Sequence, residues 1–532
     1  MSDDFLTSEQ TENYGRYVAD PNEVQLARYF HLDERDLAFI NQRRGKHNRL
    51  GIALQLTTAR FLGTFLPDPL QIPSFIRFYI AAQLNISRPE ILSRYAEREN
   101  TRWEHQGLIK LYYDYHDFGD FPWTFRLKRL LYTRAWLSNE RPGLLFDFAT
   151  AWLLQNKILL PAASTLTRLI GEVRERASRR LWRRLALLPD SWQKTQLDGL
   201  LEIPEGQRIS VLEEMRKGPV TISGPSFTDA LERYTRLRSM EFSRLNFSGL
   251  PAIQLRNLAR YAGMASVKYI SRMPDERRLA VLTAFVKAQE ISALDEAVDV
   301  LDMLILDITR SAKNIGQKKR LRTLKDLDRA ALLLARACTL LLDENTDEAA
   351  LRQAIFRRIP KDKLAESVGK VNELARPQDT QFQDEMVEQY GRVKRFLSAM
   401  LRDLHFQAAP AGELTLSAIH YLAELSGSKK RILDDAPEQI ISGPWKRLVY
   451  DRDGRILRAG YSLCLLERLQ DSLRRRDLWL ENSDRWGDPR QKLLQGAEWQ
   501  AQRIPVCRAL GHPSDGTKAA EQLATRLDDT WK

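Results

Sequence analysis

Cysteine is scarce: Cys338, Cys464 and Cys507 are the only three in 532 residues, and they lie far apart. That spacing offers neither a disulfide framework nor a metal-binding knuckle, and it fits a reducing cytoplasm. Long apolar runs are also missing. The longest, residues 331–342, is interrupted by Arg336 and is too short to span a bilayer, so no membrane partner is expected. The N-terminal MSDDF is acidic and lacks the apolar core of a secretory signal. There is no Walker A motif, GxGxxG loop, CxxC pair or HExxH helix. Internal repeats, proline-rich tracts and low-complexity tails are absent. These absences exclude the commonest nucleotide, zinc and membrane classes.

Charge, by contrast, is abundant and uneven. The formal net charge is +12. Residues 41–60 carry Arg43, Arg44, Lys46, Arg49 and Arg60 with no acid. Residues 168–184 carry seven arginines against Glu172 and Glu175, and residues 310–325 carry seven cations and no acid. Together these segments exceed the net charge of the whole chain, so the remainder is net acidic. Such clustering points to a polyanionic partner more than a uniformly high pI would. Solvated helix faces are the other reading of each cluster, and RNA is open as a partner on charge alone.

Helix periodicity dominates, which gives a mostly α, multi-domain protein with helix-turn-helix-like DNA-binding modules and few short strands. Residues 295–310 place Val298, Leu301, Leu304, Ile305 and Ile308 on one helical face, with Asp295 as N-cap. SRPE at 87–90 has capping-box spacing. YDRDGRIL at 450–457 reads as a hairpin turning at Asp453-Gly454. Changes of texture, several at Pro and Gly, divide the chain into residues 1–155 and 156–290, which hold the first two basic segments, then an apolar helical region at 291–430 and a segment rich in Arg and Trp at 431–532.

The first basic segment is expected to form a helix over 33–42, a turn at Gly45, and a second helix capped by Asn48. Leu50, Ala53, Leu54, Thr57 and Phe61 would be its buried side. Arg43, Arg44, Lys46, His47 and Arg49 would gather at the turn, where free backbone N–H groups also favour phosphate. Asn48 has a base edge as its alternative partner, and Arg60 an internal acid. In the second segment Thr165 and Thr167 precede a helix bearing Arg168, Arg174, Arg176, Arg179, Arg180, Arg183 and Arg184. Arg176, Arg180, Arg183 and Arg184 share one face, with Trp182 and Leu185 toward the core. A Glu172–Arg176 pair is the bland alternative. The third cluster, with Lys318, Lys319, Arg320 and Arg322, reads either as a DNA-contacting loop or as a solvated turn between two helices. Arg474, Arg475 and Arg476 read as a solvated face. Asp114, His116, Asp117 and Asp120 read as a capped aromatic loop rather than a metal site, and no carboxylate pair reads as a catalytic dyad.

NRLGIALQL at 48–56, followed by RFLG at 60–63, resembles the N-terminal region of class II (Tn-three-type) replicative transposases. Further segments similar to that family follow in order: LTSEQTENYG at 6–15, LARYFHLDERDLAFI at 26–40, QLNI at 83–86 and FGDF at 118–121. LLPAASTLTRLIGEVRERASRRLW at 159–182 and SLCLLERLQDSLRRRDLW at 462–479 continue the series. The resemblance implies a bacterial protein of DNA transposition that recognises the terminal inverted repeats of a transposon as double-stranded DNA. It implies a cytoplasmic, nucleoid-associated protein that pairs as a homodimer or with full-length transposase. Family members are about twice this length. Their RNase-H-like half supplies an Asp-Asp-Glu set for a divalent metal such as magnesium. This chain stops at Lys532, where that half is expected to begin. The resemblance therefore implies DNA binding without strand transfer, no cofactor in this chain, and no enzyme activity by itself. The alternative is a non-catalytic dimerisation scaffold, using the apolar helices at 295–310 and 327–342, that inhibits full-length transposase.

Overall fold

The computed structural model describes residues 5–97, 99–342, 348–374, 382–428 and 430–531. Side chains are described within these except at 320–326, 348–350, 373–374 and 492. The fold is mostly α, as the periodicity implies, and the chain divides into two compact units. Unit 1 comprises Met1–Leu201 and Leu245–Val286; unit 2 comprises Glu202–Arg244 and Lys287–Lys532. Unit 1 carries a net charge of +9 and unit 2 of +3.

Unit 1 contains α1 (Glu34–Asn41), α2 (Lys46–Leu62), α3 (Ser74–Gln83), α4 (Glu99–Tyr113), α5 (Trp123–Leu137), α6 (Pro142–Gln155), α7 (Ala163–Ala186) and α8 (Ala252–Met264). Pro67 and Pro69 fall between α2 and α3. Around Ser87, no capping box forms: Pro89–Ile91 is a 3-10 turn with Arg88 at its start and no side-chain cap.

The amphipathic reading of α2 needs correcting. Every residue from Leu50 to Ala59 is buried, because α1, α3, α4 and the short helix Leu92–Ala96 surround it. It is the axle of the first core, which also holds Phe30, Phe39, Ile76, Ile80, Tyr95 and Ile109. A helix apolar on all sides is a core helix. Its two ends reach solvent: the first turn, and in part Arg60, Phe61 and Leu62.

Close packing on α2 explains Gly51. A Cβ there would lie 2.4 Å from the Tyr95 ring, which is itself pinned by Gln55 Nε2 at 2.8 Å and His105 Nδ1 at 3.0 Å. Burial holds the His105 imidazole down at about 4, with the nearby Arg43 charge assisting. Gly51→Ala is expected to destabilise unit 1 by about 1–3 kcal/mol through overpacking, which urea unfolding followed by circular dichroism would register. An unchanged midpoint would show that Tyr95 can step aside.

A second core in unit 1 joins α5, α6 and the start of α7 through Leu127, Leu131, Leu145, Ala149, Leu153, Leu166 and Ile170. The far half of α7 packs separately: Leu181 and Leu185 meet Ala280, Trp136, Trp182, Leu255 and Leu258. Trp182 and Leu185 thus lie on the core side, as their spacing implies.

A single helix, α9 (Asp275–Leu341), runs for 67 residues. Two expectations fall with it. Asp295 is no N-cap but an interior, buried residue that accepts from Ser483 Oγ at 2.5 Å and from the Arg485 backbone N–H at 3.3 Å. Residues 313–325 are not an interhelical turn, since the helix passes straight through them. Val298, Leu301, Leu304, Ile305 and Ile308 are all buried within unit 2, so that face is already filled.

Unit 2 also holds the helix Gly224–Ser239, α10 (Tyr390–Asp403), α11 (Glu413–Glu424) and α12 (Arg458–Arg475). Its strands are short. β1 (Phe406–Ala408) pairs antiparallel with β4 (Leu478–Leu480), Phe406 opposite Leu480. β2 (Ile432–Leu433) pairs with β3 (Ile456–Leu457). The turn expected near Asp453 is present: Tyr450 bridges Ile456, and Gly454 has φ +76°. Arg474 and Arg476 are not simply solvated. Arg474 forks onto Asp302 at 3.0 and 2.9 Å, and Arg476 lies 4.7 Å over the Trp486 ring.

Candidate nucleic-acid interface

The first basic cluster is built by α1, the connection 42–45 and the start of α2. Asp33 caps α1, accepting from the Asp36 N–H at 2.8 Å. The Asp36 carboxylate reaches back to the Asp33 N–H at 3.2 Å and accepts from Arg60 at 2.7 and 2.5 Å and from the Tyr113 hydroxyl at 2.7 Å. Arg60 is therefore spent inside unit 1, tying α2 to α1. Burial would raise the Asp36 carboxyl, but the hydrogen bonds from Arg60 and Tyr113 and the Arg60 charge overrule it and hold it below its usual range.

Gly45 turns the chain with φ +85°, and α2 begins at Lys46. Asn48 is thus not the cap; it sits in the first turn and donates through Nδ2 to the Arg44 carbonyl at 2.9 Å. Arg49 donates through Nε to the Arg43 carbonyl at 3.0 Å. Both side chains brace the turn. Arg43 lies 5.5 Å over the Phe39 ring. Arg44 and Lys46 are exposed, and His47 is half-buried. The first turn of α2 has no side-chain cap and no acid. Cations at a helix start oppose the helix dipole, each by about 0.3–1 kcal/mol. An arriving phosphate would relieve that repulsion and meet uncapped N–H groups.

The second cluster lies along α7. That helix starts at Ala163, so Thr165 and Thr167 are inside it rather than ahead of it; Thr167 is buried and bonds the Ser164 carbonyl at 3.0 Å. Arg168 is exposed. Arg174 is half-buried without an acid partner among the described residues, and burial lowers its guanidinium from the usual range. Arg176, Arg179, Arg180 and Arg183 line an open groove with Glu172, Glu175 and Glu276. The local pair is Arg179 with Glu175 at 2.5 Å, not Glu172 with Arg176. Arg180 donates to Tyr132 Oη at 3.1 Å and lies 5.2 Å from the Trp136 ring centre. Arg183 is 3.7 Å from Glu276, and Arg184 donates to the Gly249 carbonyl at 3.4 Å. These contacts hold the guanidinium groups extended while leaving them at the surface.

The third cluster belongs to unit 2. Lys319 pairs with Glu385 at 2.7 Å and Glu388 at 3.2 Å, whereas Lys318 is exposed. The side chains of Arg320 and Arg322 lie outside the described residues. Among the described residues no group of three or more His, Cys, Asp or Glu is placed to hold a metal, and no helix is long and apolar enough to cross a membrane. A further basic element, α5, belongs to none of the three clusters: its fifteen residues include Arg126, Lys128, Arg129 and Arg134 and no acid. That bias is legible in the sequence, though diluted by aromatic residues.

Comparison with known proteins places this architecture. The whole chain is 78% identical over 532 residues to the transposase for transposon gamma-delta of Escherichia coli strain K12, covering 53% of that protein. The similarity to that transposase runs along the whole of this chain. The transposase for transposon Tn501 of Pseudomonas aeruginosa is 28% identical over 95% of the chain and 51% of its own length. That for Tn1546 of Enterococcus faecium is 26% identical over 93% of the chain and 50% of its own. The chain thus spans about half the length of the curated relatives it matches. A family model described as a domain of unknown function (DUF4158) matches residues 5–173, ending at the last buried residue of the second core.

One expectation is overturned by these matches: that the protein is not itself an enzyme. Every residue of the chain aligns with a transposase at 78% identity, and the end of the sequence at Lys532 is no sign that a catalytic half is lacking.

Proposed function

We propose that this chain takes part in DNA transposition and that unit 1 docks on duplex DNA at the transposon's terminal inverted repeats. The similarity to the gamma-delta transposase along all 532 residues carries the reading. The charge supports it: unit 1 holds +9 of the net +12, and its arginines are displayed on a supported surface. The first turn of α2 is a phosphate clamp, with Arg44 and Lys46 as its free cations and Asn48 and Arg49 as braces. The α7 arginines track the sugar-phosphate backbone. Because α2 is buried from Leu50 to Ala59, docking at its start is tip-on, not along the helix.

A gel shift with a gamma-delta-type end duplex and a shuffled duplex of equal composition tests this. Tighter binding to the end is expected, and equal affinity for both would refute end recognition. Arg44→Ala with Lys46→Ala should weaken both complexes by about tenfold, since phosphate contacts carry no sequence information. Unchanged affinity would move the clamp away from the α2 tip.

A further inference from the structure

We propose that the outer face of α5 is a further duplex-DNA contact, continuous with the α7 arginines. The proposal rests on the reading of unit 1 as DNA-binding and names a surface that neither basic cluster contains. Four cations and no acid lie on α5. Two of them are engaged within unit 1: Arg126 stacks 5.1 Å over Trp123, and Arg134 pairs with Glu140 at 2.8 Å. Lys128 and Arg129 are exposed, with no ion pair among the described residues.

Helical spacing puts Phe125, Lys128 and Arg129 away from the core residues Leu127 and Leu131, on a face that continues to the half-buried Tyr132 and Trp136, which pack on the cores shared with α7. That face joins α7 directly, because Tyr132 and Trp136 hold Arg180. A strip therefore runs from exposed Phe125 through Lys128 and Arg129 to Arg180. It lies in the strongly basic part of unit 1: residues 1–120 are net −3, so the +9 of the unit comes wholly from its residues beyond 120. Unpaired, exposed, same-sign charges on an ordered helix repel one another, and a polyanion that neutralises them releases condensed counterions. The charge complementarity is with a nucleic-acid backbone, and the transposon end is the duplex this unit is proposed to meet.

Fluorescence anisotropy of the full chain with a labelled end duplex, over a salt series, tests the strip. Lys128→Ala with Arg129→Ala is expected to weaken binding about tenfold and to make the log–log salt slope shallower by about 1.8, near 0.9 per lost phosphate contact. Lys361→Ala with Lys363→Ala, on unit 2, should leave the slope unchanged. A steep wild-type slope that the α5 variant does not alter overturns the α5 contact alone. A flat wild-type slope overturns the DNA reading itself. Equal competition by double-stranded RNA of the same sequence would assign the strip to RNA instead. Should the alanine variant lose helix, Lys128→Gln with Arg129→Gln gives the same readout.

Discussion

Asp36→Asn is expected to lower the melting temperature of unit 1 by about 10 °C, from a loss of about 3–5 kcal/mol. Asp36 is 1% exposed and Arg60 23% exposed, and the carboxylate also serves Tyr113 and the α1 cap. Removing the charge strands a partly buried guanidinium and loosens α1 from α2. The pH dependence has a definite sign. The folded carboxyl is depressed, so its contribution is fully present above the ordinary aspartate value near 3.9 and fades as pH falls through the lower folded value. The difference between wild type and variant should be constant from about pH 5 to 8 and shrink as pH falls below the ordinary aspartate range. Thermal melts followed by circular dichroism would check both. A variant that melts with wild type at pH 7 would mean that Arg60 finds other partners or water at little loss.

Replacing Arg176, Arg180, Arg183 and Arg184 together by Ala should have the largest effect on DNA binding. Four phosphate contacts correspond to a change of about 3.6 in the log–log salt slope, and to an affinity loss on the order of a hundredfold or more at physiological salt. The core beneath should survive, because Leu181 and Leu185 carry the packing and the arginines lie outside it. Isothermal titration over a salt series, with melting curves as a control, measures this. A folded variant with an unaltered slope would remove α7 from the interface. Arg180→Lys alone is informative as well. Lysine keeps the charge but loses the planar stack on Trp136 and the bond to Tyr132, so a partial loss would separate positioning from charge.

Much of the helical fold was legible from periodicity, and what was missed has physical reasons. The helix over 33–42 and the turn at Asp453-Gly454 follow from local chemistry, which sequence displays directly. Asn48 looked like a cap because it follows a Gly turn, yet the helix starts two residues earlier and Asn48 turns back to the Arg44 carbonyl. Asp295 also has cap chemistry, but its partners Ser483 and Arg485 are far along the chain, and only the tertiary fold brings them together. The basic run after Arg310 looked like a turn; it is part of α9, with Lys313 set 4.8 Å over the Phe382 ring and Lys319 paired to Glu385. The burial of α2 on its other sides was hidden because small and hydroxyl residues there, Gly51, Thr58 and Ala59, read as polar or neutral. In the packed unit they permit the close approach of neighbouring helices. For the interface, the arginines themselves were visible in the sequence. Their supports, Tyr132, Trp136, Gly249 and Glu276, were not, since each is remote in the chain from the arginine it holds.

Hydroxyl-radical footprinting of a terminal inverted repeat, with wild type and the α7 quadruple variant, most directly tests whether unit 1 grips the transposon end by its backbone. The expected result is protection of separate backbone windows on the end duplex, absent from a shuffled duplex, with one window lost in the variant. Equal protection of both duplexes, or a footprint that the variant leaves intact, would contradict it.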